Sequence, residues 1–163
     1  MEFEIGEATL LKVEDIELTG LLMNVYVAGG YTPADEAATL FEATAVRTRG
    51  LLIAAREKQN LNLAGIVIMV PPDSPARRLA QNNEAEIHLL GVNPLYRRHG
   101  LGRMLILSAI DKAKQNGYSK IILWTQISMV AAQKLYETTG FIHTGALKKN
   151  DRDFKVYSMA LSD

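Results

Sequence analysis

The sequence predicts a mixed α/β fold, in which about four helices flank a mostly antiparallel sheet of about seven strands. Apolar residues make up 48% of the 163 residues and charged residues 22%, which is typical of a globular core. Hydrophobic spacing changes repeatedly between strand-like alternation and helical periodicity. No repeat, linker or low-complexity tract divides the chain, so we expect one domain over residues 1–163.

The first half of the chain predicts one strand, two helices and a hairpin. The first helix is expected to begin at Asp15, because leucines follow at helical spacing, and to end at a glycine pair. Pro33 opens the second helix, with Asp35 and Glu36 near its positive end and Gly50 as its stop. Strands are expected at residues 2–14, 51–57 and 63–70, and helices at residues 15–30 and 33–50.

The second half alternates between strands and helices. Ser128 is the candidate N-cap of the last helix. Strands are expected at residues 84–92, 120–126, 141–148 and 153–161, and helices at residues 100–117 and 128–140. A strand, helix, strand unit of this length implies a right-handed crossover, so strands 84–92 and 120–126 should form a central parallel pair.

Composition excludes several classes of function. Eighteen Lys and Arg balance eighteen Asp and Glu, so no global field recruits nucleic acid or a membrane. The absence of Cys excludes disulfides and thiolate metal sites and fits a reducing cytosol. The amino end lacks a basic region before an apolar run, and the longest apolar run, 63–70, is too short to span a bilayer. We expect a cytoplasmic protein whose oligomeric state, a homodimer included, stays open.

A glycine-rich turn before the third predicted helix is a candidate anion site. A helix that begins near Gly100 leaves its first amides unpaired and carries partial positive charge there. Gly100 and Gly102 let the main chain approach a phosphate, and Arg97, Arg98 and Arg103 add positive charge. The alternative is an ordinary helix entry with solvated arginines. The turn matches neither the P-loop nor the three-glycine dinucleotide motif.

Two motifs resemble landmarks of a known family. The segment LGVNPLYRRHGLGRMLI resembles the coenzyme A signature of the GNAT superfamily of N-acetyltransferases, Gln/Arg-x-x-Gly-x-Gly/Ala, at Arg97, Gly100 and Gly102. The segment AAQKLYETTGF resembles its second landmark, a helix that ends in Leu-Tyr-x-x-x-Gly-Phe. The motifs lie in the expected order, and the predicted elements match the GNAT fold over nearly the whole chain. The resemblance implies a central parallel pair that splays apart.

The resemblance implies acetyl-CoA as cosubstrate. Main-chain amides of the glycine turn would bind the pyrophosphate, and the edge of strand 84–92 would pair with pantetheine like an added strand. Met129 stands where many members have an Asn that contacts the pantetheine arm, so that contact is missing or comes from Gln126 or Ser128. The residues assigned to acetyl-CoA are Leu90, Val92, Arg97, Arg98, His99, Gly100, Leu101, Gly102 and Arg103.

Transfer of acetyl to an amine needs a base for the ammonium proton and an acid for the departing thiolate. Strand alternation places Glu84, Glu86 and His88 on one face and Leu89 on the other. The two glutamates would lie roughly 7 Å apart, and their repulsion should raise one pKa towards neutrality. Both are candidate bases, with Glu86 preferred, and an exposed polar strand face is the alternative. The resemblance assigns Tyr136 as the general acid, with a packed core tyrosine as the alternative.

The acceptor side is the least defined part of the site. The resemblance places it against the first two helices, so the candidate residues are Met23, Tyr26, Tyr31 and His88. The nearby acids, Asp35 and Glu36 among them, should favour a cationic amine, although both also suit a helix start. Three histidines without a second ligand cluster predict no metal site, and Trp124 is expected in the core.

The predicted function is acetyl-CoA-dependent acetylation of a primary amine on a small molecule or peptide. The chain has no Gly-x-Ser-x-Gly elbow, so we expect direct transfer in a ternary complex and no acyl-enzyme. The alternative from another class is a coenzyme A-binding sensor or interaction module with little or no turnover. A third possibility is an acyltransferase for a longer acyl chain. Polyamines, amino acids, aminoglycosides and protein amino termini all remain candidate acceptors.

Overall fold

A computed structural model of the chain describes residues 1–161 and shows seven strands in one mixed sheet. The strands are β1 (Phe3–Glu7), β2 (Leu51–Glu57), β3 (Leu63–Val70), β4 (Glu84–Val92), β5 (Lys120–Gln126), β6 (Ile142–Lys149) and β7 (Arg152–Ala160). The helices are α1 (Asp15–Leu22), α2 (Ala34–Leu40), α3 (Ala43–Arg47), α4 (Leu101–Gln115) and α5 (Val130–Thr139). The strand order is β1-β2-β3-β4-β5-β7-β6, in which β4 and β5 are parallel. The predicted fold class is confirmed.

The predicted bounds of β2, β3, β4 and β5 coincide with those of the structure. Strand β3 shows why the bounds of these strands can be predicted from the sequence, because every one of its residues is buried. Its side chains alternate between two cores: Val67 and Met69 enter one, whereas Ile66 and Ile68 enter the other. A strand covered on both faces therefore reads as a continuous apolar run.

Helices cover both faces of the sheet. Helix α4 packs Leu105 and Ile106 into the core that contains Val67. Helix α1 packs Leu18 and Leu22 into the core on the opposite face. Within residues 1–161, no helix combines the length and the apolar character that a bilayer crossing requires.

Strand β4 carries an irregularity that shapes the site. It pairs with β5 only from Glu84 to Glu86, so the two parallel strands separate beyond that point. Its register with β3 also shifts by one residue after His88, and Leu89 has a φ of 52°. Leu89 therefore packs against the α1 side of the sheet. The expected alternation, which put Leu89 opposite His88, is wrong at this residue because a bulge reverses the pleat.

The first predicted helix is shorter than expected. Helix α1 ends at Leu22, and a single π-helical turn, Met23–Val27, continues the chain. The amide of Ala28 donates to the carbonyl of Met23 at 3.0 Å in this turn. Such turns change the direction of the side chains that follow them. Here the turn carries Tyr26, which lines the cavity described below.

The second predicted helix is divided into α2 and α3. Phe41 leaves the helical conformation with a φ of −109°, and its ring packs 5.3 Å from that of Tyr26. The carboxylate of Glu42 then caps α3 by accepting hydrogen bonds from the amides of Thr44 and Ala45. Burial of Phe41 and the new cap stop one helix and start another. The structure therefore contains five helices among the described residues, where about four were expected.

Candidate active site

A cavity of about 270 Å³ lies where β4 and β5 separate. His88 and Leu89 of β4, Trp124 of β5, and Tyr26 form part of its wall. Ligands of open sheets commonly bind where neighbouring strands diverge in this way, because the separated strands leave unpaired main chain and a crevice.

Two of the four predicted acceptor residues line this cavity, namely Tyr26 and His88. Met23 and Tyr31 are not among the lining residues, although both pack, like Tyr26, against the core on the α1 side of the sheet. Tyr31 instead contributes its carbonyl, which accepts a hydrogen bond from Gln126 Nε2 at 2.9 Å. The amide group of Gln126, a candidate contact for the pantetheine arm, is thereby tied to the loop after the π-helical turn.

The side chain of Tyr26 contacts the strand edge assigned to pantetheine. Its hydroxyl donates to the carbonyl oxygen of Leu90 at 3.0 Å. Burial raises the pKa of Tyr26 well above its usual value, so the phenol stays neutral and keeps its proton. One lone pair of the Leu90 carbonyl is thus occupied, and a ligand on this edge has the other one available.

The carboxylate of Glu86 is enclosed by hydrogen bonds. Its Oε2 accepts from the amides of Arg78, Leu79 and Ala80 at 2.8, 2.6 and 2.7 Å, and its Oε1 lies 2.8 Å from His88 Nε2. Burial, the largest single influence, raises the pKa of Glu86, but the four hydrogen bonds together outweigh it and lower the pKa below its usual value. The expected rise towards neutrality is therefore wrong for Glu86, and its side chain is fully buried.

Glu84, the other candidate base, lies at the far end of β4. Its carboxylate accepts from the amide of Gln81 at 2.9 Å and lies 3.7 Å from Lys120 Nζ. This is the end at which β4 and β5 still pair. Four residues of strand, roughly 13 Å, separate Glu84 from His88. Glu84 is not among the residues that line the cavity.

His88 connects Glu86 to the cavity. Because the Glu86 carboxylate is ionised and can only accept, the proton of a neutral imidazole must lie on Nε2. The lone pair on Nδ1 then faces Arg49 Nη1 at 3.4 Å, which is long for a hydrogen bond. Burial lowers the pKa of His88, the bond to Glu86 raises it, and Arg49 and Arg78 lower it further. The net effect is a lowered pKa, so the imidazole is neutral at pH 7.

Tyr136 is almost fully buried, and its ring packs 5.8 Å from Phe141 and 6.1 Å from Tyr157. Among residues 1–161, no group forms a hydrogen bond with its hydroxyl. Burial, followed by the proximity of Tyr26, raises the pKa of Tyr136 well above its usual value. The phenol therefore retains its proton and has it free to donate.

The glycine turn has the main-chain geometry of an anion site. Arg98 and Gly100 both adopt left-handed conformations, with φ values of 66° and 74°, and Gly100 is the N-cap of α4. Alternating left-handed residues direct successive amides to one side of the chain. The amides of residues 98–103 find no acceptor in the part of the chain that the structure describes. Six free donors thus surround the positive end of a 15-residue helix.

The two glycines of the turn have different roles. A Cβ on Gly100 would contact nothing within 4 Å, so its left-handed φ is the reason for glycine. A Cβ on Gly102 would lie 3.2 Å from Leu135 Cδ2 and 3.8 Å from Val92 Cγ2. Gly102 therefore allows α4 to pack closely against α5 and β4. The sequence predicts one role for both glycines, which is to let the main chain approach a phosphate.

The side chains around the turn are mostly exposed. Those of Arg97, Arg98 and Arg103 extend into solvent, and His99 lies 6.2 Å from the ring of Phe3. Leu101 is buried in the core below α4. The main chain of the turn thus faces outward with positive side chains around it, which fits the predicted contact with a pyrophosphate.

The charge of the cavity differs from the expectation. The residues that line it include Arg49, Arg78, Lys149 and Arg152, and none of the described lining residues is Asp or Glu. Glu36, one of the acids expected there, forms an ion pair with Arg152 at 2.8 Å. The predicted acidic acceptor side is therefore wrong, because distant segments bring four cations to this wall.

Two further residues differ from their predicted places. Trp124, expected in the core, lines the cavity with its ring 5.2 Å from that of His88. Met129, in place of Ser128, is the N-cap of α5 and also lines the cavity. Within residues 1–161, no three His, Asp or Glu side chains are grouped as a metal site would require.

Comparison with known proteins agrees with this geometry. The model of the acetyltransferase (GNAT) family matches residues 17–141, which is more than half of the chain. The chain belongs to this family.

Individual relatives of this GNAT chain share part of its length. It is 32% identical over 83 residues to N-acetyltransferase family 8 member 3 of Rattus norvegicus, a match that covers 51% of the chain and 35% of that relative. It is 36% identical over 73 residues to N-acetylaspartate synthetase of Xenopus tropicalis, covering 45% of the chain and 27% of that relative. These matches span about a third of the relatives' length. A Bacillus subtilis acetyltransferase solved with CoA has the same fold, with 22% identity, a TM-score of 0.68 and 99% coverage of both chains.

The sequence of this GNAT chain did not reveal the four cavity cations or the place of Trp124 in the cavity wall. The cations lie in the segment after α3, the loop before β4, the end of β6 and the start of β7. No spacing rule connects positions so far apart in sequence. Lys149 and Arg152 reach the cavity because the sheet order places β7 beside β5, whereas Arg49 and Arg78 come from segments outside the sheet.

Proposed function

We propose that the protein is an acetyl-CoA-dependent N-acetyltransferase that acetylates a primary amine by direct transfer in a ternary complex. The observation that carries this proposal is the set of six free amides at the start of α4. Such a cluster at a helix N-terminus suits a pyrophosphate, which a coenzyme A thioester contains. The edge of β4 beyond Glu86 is unpaired by β5 and offers main-chain groups to the pantetheine arm.

In this proposal His88, oriented by Glu86, is the base. The carboxylate holds the proton on Nε2, so Nδ1 is the atom that accepts the proton of the acceptor ammonium. The contact with Arg49 at 3.4 Å is long enough for a substrate amine to compete with it. Glu86 then acts as a positioning residue, and neither Glu86 nor Glu84 receives the proton directly.

Tyr136 has the role of hydrogen-bond donor to the departing thiolate. Its hydroxyl lacks a partner among residues 1–161, and its raised pKa keeps the proton in place at physiological pH. Because efficient full proton transfer needs a pKa near the working pH, a strongly raised pKa favours donation of a hydrogen bond over early release of the proton.

The comparisons support an N-acetyl transfer. Both curated relatives are named for reactions of this type, an N-acetyltransferase and an N-acetylaspartate synthetase. The family match covers the turn, the splayed strands and all of α5. By similarity, we assign acetyl-CoA as the donor and a primary amine of a small molecule or peptide as the acceptor.

The test is acetyl-CoA turnover, followed by release of free thiol, against a panel of amino acids, polyamines, aminoglycosides and peptides. Binding of acetyl-CoA is measured in parallel by calorimetry. We expect micromolar or tighter binding and thiol release that depends on one class of amine. Failure of the protein to bind acetyl-CoA would contradict the proposed function.

A coenzyme A-binding sensor is the second candidate function. One observation favours it: neither predicted carboxylate base is free to contact a substrate, since Glu86 is enclosed and Glu84 lies outside the cavity. Tight binding of acetyl-CoA without thiol release across the whole panel would support the sensor and contradict the transferase.

A further inference from the structure

Four cations converge on one wall of the cavity. Arg49, Arg78, Lys149 and Arg152 all line it, although the formal charge of the whole chain is zero. Burial lowers the pKa of Lys149, and repulsion by Arg78, Arg49 and Arg152 lowers it further. The four charges are therefore close enough to act on one another. Arg78 is exposed and Lys149 is half-buried, so solvent screens part of this repulsion, and an anion in the cavity would offset the rest.

The carboxylates near the cavity only partly balance these cations. Glu36 pairs with Arg152 at 2.8 Å, and Glu86 is occupied by His88 and three amides. Within residues 1–161, Arg49, Arg78 and Lys149 form no ion pair. Four cations against two occupied carboxylates leave a net charge of about +2 at the cavity.

Two polar atoms of the wall lack partners, which is an independent sign of a ligand. Among the described residues, Thr125 Oγ1 and Arg152 Nε are buried without any hydrogen bond. Both residues line the cavity. Buried polar groups in proteins are nearly always satisfied, so each one that is not requires an explanation. Both atoms are closed to solvent, so a ligand oxygen would reach either one only after the surrounding side chains moved.

We infer that the acceptor is a small amine that carries a carboxylate, and that Arg78, Lys149 and Arg152 bind this carboxylate. This inference rests on the proposed transferase function and names the substrate class of that same site. Guanidinium groups suit a carboxylate because their paired N–H donors match its two oxygens. The cavity of about 270 Å³ lies just below the range of typical small-molecule sites, about 300–1,000 Å³, so it suits a small acceptor.

The same charges act on the acceptor nitrogen. A positive surrounding disfavours an ammonium and so lowers the pKa of the acceptor amine, as Arg49 and Arg78 lower that of His88. The carboxylate offsets the repulsion for the ligand as a whole. A polyamine has no such group and would add two or more positive charges to a cavity that is already positive.

The test measures ligand binding to the protein saturated with coenzyme A, so that binding is separated from turnover. The probes are glutamate and aspartate, the corresponding diamides, in which both carboxylates are replaced by neutral amides, and spermidine. The variants are Arg78→Gln and Lys149→Gln. Arg77→Gln and Lys148→Gln are matched controls, because each removes an exposed neighbouring cation that does not line the cavity.

At least one acid should bind about tenfold or more tightly than its amide, since a hydrogen bond to a charged group has about this effect. Arg78→Gln and Lys149→Gln should each reduce this preference about tenfold, whereas the controls should change it by less than about twofold. Thermal unfolding of each variant verifies that it folds. Equal binding of acids and amides, tighter binding of spermidine, or absence of binding by both acids would overturn the inference.

The two proposals fail separately. If the acids bind as described but release no thiol from acetyl-CoA, the substrate-class inference stands as a ligand assignment and the transferase function fails. If spermidine or an aminoglycoside is acetylated and neither acid binds, the transferase function stands and the anionic acceptor is wrong.

Discussion

Replacement of Glu86 by Gln should invert the tautomer of His88. The three amides of residues 78–80 require an acceptor, so the carbonyl oxygen of Gln would take their hydrogen bonds. Its NH₂ group would then face His88 Nε2 and force that nitrogen to accept. The proton would move to Nδ1, where it opposes the donor Arg49. The lone pair assigned to proton transfer would be lost.

The expected losses of kcat and of stability in Glu86→Gln follow from these contacts. Loss of a positioned general base lowers kcat by about 10² to 10⁴. Loss of charge-assisted hydrogen bonds costs about 1.5–3 kcal/mol of unfolding free energy, which lowers Tm by roughly 3–12 °C in a chain of this size. Glu57→Gln is the matched control, because Glu57 is also a buried carboxylate that accepts from two amides, those of Gln59 and Asn60. It should lower Tm without lowering kcat.

Steady-state kinetics and ¹⁵N NMR of the imidazole measure these outcomes directly. The chain has only three histidines, so the signals can be assigned by single substitutions. We expect the Nε2–H tautomer of His88 in the wild type and the Nδ1–H tautomer in Glu86→Gln. A wild-type imidazole protonated on Nδ1, or a Glu86→Gln variant with undiminished kcat, would refute the reasoning. If only Glu84→Gln causes a large loss of kcat, the general base is Glu84.

The remaining predictions concern the acid, the turn and pH. Tyr136→Phe should lower kcat roughly ten- to a hundredfold with little change in acetyl-CoA affinity, since a hydrogen bond to a charged group contributes about 1.5–3 kcal/mol; full turnover would exclude the donor role. Gly102→Val should weaken acetyl-CoA binding in calorimetry, because the added Cβ would meet Leu135 at 3.2 Å; unchanged affinity would contradict the turn assignment. Gly100→Ala should cost about 1–2 kcal/mol through its left-handed φ alone, measured by thermal unfolding. Because folding lowers the pKa of Glu86, its ionised carboxylate stabilises the fold at pH values above its unfolded pKa of about 4.3. This stability is lost as the pH falls through the lower folded pKa. Urea unfolding should therefore show that the wild type loses more stability below pH ~4 than Glu86→Gln.

The fold was largely predictable because its signals are local. Burial on both faces makes β3 a continuous apolar run, and the glycine turn precedes α4 within a few residues. The division of the second helix at Phe41 was not predictable from spacing alone. It depends on the contact of Phe41 with Tyr26, and residues this far apart in sequence do not reveal their contact through a periodicity.

By itself, the sequence determined the order of the elements, the bounds of four strands and the turn whose free amides have the geometry of an anion site. Only the tertiary structure decided the chemistry of the cavity. The pKa of Glu86 depends on amides in the loop before β4, and the charge of the wall depends on Arg49, Lys149 and Arg152 from three other segments. The physical reason is that propensity and capping act over a few residues, whereas electrostatics and burial act over distances in space.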